Sequence, residues 1–223
     1  MKNFLLLVAG CLLVSCGGKY NLISKAYESK QLKASSLTVF LYDSALVISN
    51  TDDVEDDLGK GDPNEQYLKV FEKGFSESLL KPSRRIKKVI FSAVDLQLKS
   101  PPFPLEKERL LFDQIADYFQ LPLGKQTDVS SDYILLIDKL SVYRYGGSAG
   151  TFNAATNTFS GGSSEALVNF VRYAVWDNQA GQLVFNGQCA VKSSFMFAMG
   201  ESNWHAVVRD LAQAIFNNSP FDH

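Results

Sequence analysis

Three cysteines, Cys11, Cys16 and Cys189, and two histidines, His205 and His223, are the only thiols and imidazoles in the chain, and they bound its nucleophilic and transition-metal chemistry. A Ser–His–Asp site would have to use one of the two histidines, because the triad needs a base that a third group holds. His223 is the terminal residue, and His205 has Glu201 at i−4 and Arg209 at i+4, a polar helix face. No Gly-x-Ser-x-Gly elbow presents a nucleophile. There is no His/Cys metal spacing, no phosphate loop and no dinucleotide fingerprint. The acidic run Asp52, Asp53, Glu55, Asp56 and Asp57 suits a hard cation such as calcium, but it lacks the alternating spacing that wraps one ion. It reads as a solvated, self-repelling loop. Lys81, Arg84, Arg85, Lys87 and Lys88 can meet anionic headgroups or an acidic partner, and serve equally as a solvated edge that discourages sheet-to-sheet pairing. A carboxylate pair for glycoside hydrolysis is recognised by distance, and nothing in the sequence selects one. The sequence therefore assigns no catalytic residue, no metal site and no cofactor.

Composition is that of a folded domain, with 46% hydrophobic and 21% charged residues. The formal charge of −2 gives no electrostatic footprint for nucleic acid. Leu183, Phe185, Cys189 and Val191 share one parity, so Cys189 is expected to face the core as a small hydrophobe.

The elements are expected as follows. A strand covers residues 36–49, broken near Asp43-Ser44, and a loop follows through Gly59-Lys60-Gly61-Asp62-Pro63. Tyr67, Leu68, Phe71, Phe75 and Leu79 mark a helix over residues 64–80, stopped by Pro82. A second strand runs from Ile86 to Leu98. A stiff turn at Pro101, Pro102 and Pro104 leads to a helix over 105–120. The near-continuous Ile134, Leu135, Leu136 and Ile137 place a third strand, Tyr133 to Tyr143, with both faces buried. Ala166 to Trp176 and Gln182 to Phe197 form a hairpin about the five-residue turn 177–181. Trp204, Val208, Leu211 and Ile215 mark a final helix over 202–217. The expected fold is an α/β (α+β) sandwich, one mixed sheet of about five strands packed with three helices.

Residues 146–164 are uncharged and rich in Gly, Ser, Thr, Asn and Ala, with Phe152 and Phe159 among them. They read either as a disordered loop or as a long hairpin extending the strands on both sides, with Asn153 to Asn157 at its tip. Segments of this length are often functional, which makes Phe152, Asn153 and Phe159 the candidate interface residues.

The amino terminus carries a further signal. Lys2 is followed by an apolar run from Phe4 to Val14, too short to span a bilayer, which ends in Leu13-Val14-Ser15-Cys16 and Gly17-Gly18. This is a secretory signal pattern, and its end resembles the lipobox of bacterial lipoproteins. Val8-Ala9-Gly10-Cys11 also fits, but would leave an apolar core shorter than usual. The resemblance implies cleavage before Cys16, diacylglycerylation of its thiol and acylation of the new amine. It also implies an outer-membrane location facing the periplasm, because Gly17 stands where an inner-membrane retention signal has Asp. On this reading residues 1–15 are a signal peptide, 16–35 a lipidated tether and 36–223 one periplasmic domain, with Cys189 the only remaining thiol.

The order of elements resembles a group of envelope lipoproteins that includes the curli secretion channel protein, the Pel polysaccharide export lipoprotein and the lipoprotein activator of a penicillin-binding protein. The amino-terminal domain of the Tol-system propeller protein has a similar build. Asp132-Tyr133-Ile134-Leu135-Leu136-Ile137 is similar to their Asp-Tyr strand, and Val175 to Val184 to their strand–turn–strand. The resemblance implies a non-catalytic assembly or docking component of a cell-envelope system, membrane-bound through lipid, with an envelope protein or copies of itself as partner. The alternative is a periplasmic small-ligand-binding or glycan-processing protein that uses an unidentified carboxylate pair.

Overall fold

The computed structural model describes residues 20–32, 35–42, 45–49, 51–82, 84–92, 129–145, 151–153, 158–160, 165–195 and 199–222. The signal segment, Cys11, Cys16, His223, the proline turn and the helix expected over 105–120 lie outside them. Nine strands and three helices are described: β1 (Tyr20–Ile23), β2 (Ser35–Leu41), β3 (Leu46–Ile48), α1 (Thr51–Leu58), α2 (Pro63–Leu79), β4 (Ile86–Ser92), β5 (Tyr133–Tyr145), β6 (Thr151–Asn153), β7 (Thr158–Ser160), β8 (Glu165–Asp177), β9 (Gln182–Phe195) and α3 (Glu201–Phe216).

The expected class holds: one open mixed sheet packed with helices. The sheet has seven strands rather than about five, in the order β1-β9-β8-β5-β2-β4, with β3 also on β5. β2 runs parallel to β4 and β5, whereas β5, β8, β9 and β1 alternate antiparallel. β5 is central and apolar on both faces. Leu135, Ile137, Leu140 and Val142 join the main core, and Ile134 and Leu136 a second cluster with Phe40, Trp176 and Leu183.

The helices cover the main-core face. α2 starts where sequence chemistry places it: the Asp62 carboxylate caps the Glu65 N–H at 3.0 Å, and Pro63 occupies the first turn. Tyr67, Phe71, Phe75 and Leu79 are buried. Trp204, Val208, Leu211 and Ile215 form the buried stripe of α3. The two helices approach closely at Gly74, where a Cβ would lie 3.1 Å from the His205 carbonyl oxygen and from Val208 Cβ. Phe216 and Phe221 pack edge-on at 5.5 Å, and Tyr133 meets Phe221 at 4.9 Å, joining the chain's end to the start of β5.

Three expectations are corrected. The tether does not extend through residue 35. β1 pairs with β9, Asn21 donates to the Ile215 carbonyl and accepts from the Tyr173 hydroxyl, and Tyr27 is buried with its hydroxyl 2.7 Å from Asp177. The mixed polar composition of this stretch hid partners 150 or more residues away in sequence. The acidic run is a helix, α1, because Val54 is buried and Asp52 and Asp53 lie in its first turn, where the helix dipole favours negative charge. Leu183 lies opposite Phe185 and Cys189, because a β-bulge between the Val175 and Trp176 pairings shifts the parity of β9 at Val184.

Candidate functional site

The long β5–β8 hairpin defines two ends of the molecule. At the turn end, β8 passes into β9 through residues 178–181. The Asp177 carboxylate accepts from the Gln179 and Ala180 N–H groups at 2.9 and 2.7 Å, and Gly181 supplies the left-handed backbone (φ 63°). Asn178 is fully buried and donates to the Val129 and Ser131 carbonyls. Nearby, the Ser36 N–H and hydroxyl reach one Asp132 oxygen at 2.9 Å, tying β2 to β5. The Asp-Tyr pair and the Asp-x-x-x-Gly turn are thus fastening devices in this chain.

Arg84 and Arg85, read with the exposed basic set, are withdrawn from it. Arg84 is buried and donates to the Phe216 carbonyl and Asp222 at 3.0 Å each, and to Asn217. Arg85 donates to the Leu32 carbonyl and Gln31. Their guanidinium groups satisfy backbone oxygens at the end of α3 and in the segment before β2, a demand invisible in local sequence. Lys81, Lys87 and Lys88 remain exposed. A shallow cleft of about 300 Å³ lies beside this clamp, lined by Glu28, Lys30, Asn218 and Asp222 among others.

On the sheet face away from the helices, Arg172 grips Asp138 with both carboxylate oxygens at 2.5–2.9 Å. The Asp138 side chain is only 3% exposed. Asp138 sits in the β-bulge of β5 between the Ile137 and Lys139 pairings. Lys139 lies 5.4 Å over the Phe170 ring, and burial together with Arg172 holds its ammonium below the usual lysine range.

At the other end, Arg144 meets Asp57 at 3.0 Å and Asp53 at 3.6 Å, and the Trp204 indole N–H donates to Asp57 at 3.1 Å. Two of the five acidic residues thus bind an arginine. Among the described residues, no group of three or more His, Cys, Asp or Glu side chains is placed to hold a metal ion. Burial pushes the Asp57 carboxyl up; Trp204 and Arg144 pull it down, and Asp53 and Asp56 push it up again. A carboxyl raised in the folded state stabilises the fold while protonated. That contribution is present below the ordinary value of 3.8 and is lost as pH rises through the raised folded value. Asp57→Asn, which keeps an acceptor for Trp204, is therefore expected to gain stability relative to the parent as pH rises from strong acid to neutrality. Denaturant unfolding of both proteins at several pH values measures this, and a pH-independent difference would refute it.

His205 lies buried on α3 with Nε2 3.0 Å from Glu201. Cys189 is buried beneath the sheet, as its parity predicts. Phe152 and Asn153 lie on β6 and Phe159 on β7. The two strands pair separately from the main sheet, with Phe152 directly opposite Phe159. Their register continues that of the β5–β8 hairpin. Tyr145 faces Ala166 and Thr151 faces Ser160, so residues 146–150 and 161–165 are equal lengths of chain between the two pairings. The hairpin reading thus holds for the paired residues. Among the described residues, no helix is long and apolar enough to cross a membrane.

No protein-family model matches the chain, and no curated protein does. Similarity is found to solved structures. The PelC dodecamer from Paraburkholderia phytofirmans is 8% identical at a TM-score of 0.39, over 88% of this chain and 94% of that one. A point variant of the same dodecamer is 8% identical at 0.38, over 87% and 96%. The hypothetical protein CT253 from Chlamydia trachomatis is 11% identical at 0.26, over 82% and 85%.

Proposed function

We propose that the protein is a non-catalytic, lipid-anchored component of the cell envelope, held in the outer membrane and facing the periplasm. It presents its open sheet and its β6–β7 hairpin to an envelope protein or to copies of itself. The observation that carries this reading is the apolar run ending in Leu13-Val14-Ser15-Cys16, only a few residues before β1 begins at Tyr20. The open sheet edge supports the assembly part of this reading. β4 ends the strand order among the described residues, and an added strand can pair along such an edge, with Lys87 and Lys88 exposed for an acidic partner.

The anchor is tested by Cys16→Ala, which is expected to abolish acylation and leave the protein unprocessed or in the soluble fraction. Retention of the lipid by that variant would move the site to Cys11 or remove it. The assembly role is tested by the native mass of the protein extracted in mild detergent, together with the identity of co-purifying proteins. A defined complex supports it, and a clean monomer without partners opposes it.

A further inference from the structure

The sheet buries apolar side chains on both faces, but the described helices cover only one. Val39, Leu135 and Val175 turn to the main core, where α1, α2 and α3 bury their own apolar residues. Their strand neighbours turn the other way. Phe40, Ile134, Leu136, Ala174, Trp176 and Leu183 form the second cluster there and are all buried. Among the described residues only Val129 and Tyr42 pack with them. A sheet face shuts out water only when a further layer lies on it.

Connectivity tells which part of the chain can supply that layer. β5, β2 and β4 are parallel neighbours in that order. The chain crosses from β2 to β4 by way of α2, on the main-core face, where Phe71 and Phe75 meet Phe91 edge-on. It then returns from β4, past β2, to β5. Crossovers between parallel strands of one sheet are right-handed. Two right-handed crossovers that move in opposite directions across a sheet run on opposite faces, so the return belongs to the face of the second cluster. Its far end is found there. Val129 is a member of that cluster, and Asn178 donates to the Val129 and Ser131 carbonyls at 3.0 and 3.1 Å.

The length and pattern of the connecting chain suit the task. Residues 93–128 lie between Ser92, the last of β4, and Val129. They far exceed the dozen or so that a parallel crossover requires. Within them Leu111, Phe112, Ile115, Tyr118 and Phe119 fall on one side of a 3.6-residue repeat, and Asp113 and Asp117 on the other. An apolar stripe that needs a surface and an apolar surface that needs a layer are thus joined by one crossover.

We propose that the apolar stripe of residues 105–120 docks on the second cluster, so that this part of the sheet face is interior and closed to any partner. The proposal goes beyond the assembly reading and does not depend on it. The test uses the full chain in mild detergent, with the photoreactive benzoylphenylalanine in place of Phe112. Irradiation is expected to join that residue to the second cluster, in the peptides of β5, β8 or the start of β9. Attachment to α2 or α3, or to no part of the same chain, overturns the proposal. Thiol protection, located by peptide mapping, reads the same face. Ala174→Cys is expected to resist a maleimide, as the native Cys189 does on the opposite face. Phe112→Asp/Ile115→Asp is expected to remove the protection of Ala174→Cys and to leave Cys189 protected, whereas Asp117→Lys is expected to expose neither. An Ala174→Cys thiol that stays protected beside Phe112→Asp/Ile115→Asp overturns the proposal. Should both thiols of that variant react, it has lost its fold, and the attachment point of the photoprobe decides alone.

Discussion

Arg172→Leu is expected to destabilise the protein by about 3–5 kcal/mol, the cost of removing the arginine that compensates a buried carboxylate. Asp138 has almost no access to water, and Arg172 occupies both of its oxygens. Lys139, adjacent on the bulge and held over Phe170, relieves part of the stranded charge, which places the effect towards the lower figure. The double variant Asp138→Leu/Arg172→Leu removes both charges and leaves apolar side chains beside the second core cluster, so it is expected to recover most of the loss. A double-mutant cycle by urea unfolding measures the coupling. A double variant no more stable than Arg172→Leu would show that the buried charge of Asp138 is not the cause.

The second large effect belongs to Arg84→Ala, expected to cost about 3 kcal/mol through loss of a buried, charge-assisted fork. For a domain of this size that lowers the melting temperature by roughly 10 °C. The Phe216 carbonyl keeps the Ser219 hydroxyl at 2.6 Å, and Asp222 is a third exposed, so neither is stranded outright. What is lost is the link between the end of α3, the carboxyl-terminal turn and the entrance to β4. Arg84→Lys keeps the charge but not the fork and should recover only part. The urea midpoint should fall at constant m-value. A midpoint equal to that of the parent would mean that the fork contributes nothing.

These two residues also mark where the sequence stopped being readable. Periodicity located α2 and α3 within a residue or two, because their apolar stripes face one core. The run Ile134 to Ile137 announced a strand buried on both faces, as β5 is. Asp138, at the end of that run, raised no expectation in the sequence, and only the folded chain brings Arg172 onto it. Arg84 gave no sign either, because it stands among four other basic residues and only the folded chain separates it from them. α1 was missed because five carboxylates obscured the single buried Val54, and β1 because its partner lies at the far end of the sequence. The pairing of residues 151–153 with 158–160 was readable as an alternative, since such a register depends only on local pairing.

The late closure of β1 onto β9 also sets an order of events for the growing chain. β1 is made first, yet its partner strand is almost the last element synthesised. The parallel neighbours β4 and β5 join β2 only after their own long connections are complete, and such distant pairings form slowly. The β5–β8–β9 meander, by contrast, closes through local turns. Until the meander exists, the backbone of β1 lacks its β9 partner and Tyr27 lacks Asp177, and an unpaired amino-terminal strand is prone to aggregate. A chain of this topology therefore has to be kept unfolded and escorted until most of it has emerged, and its amino-terminal strand acts as the final latch.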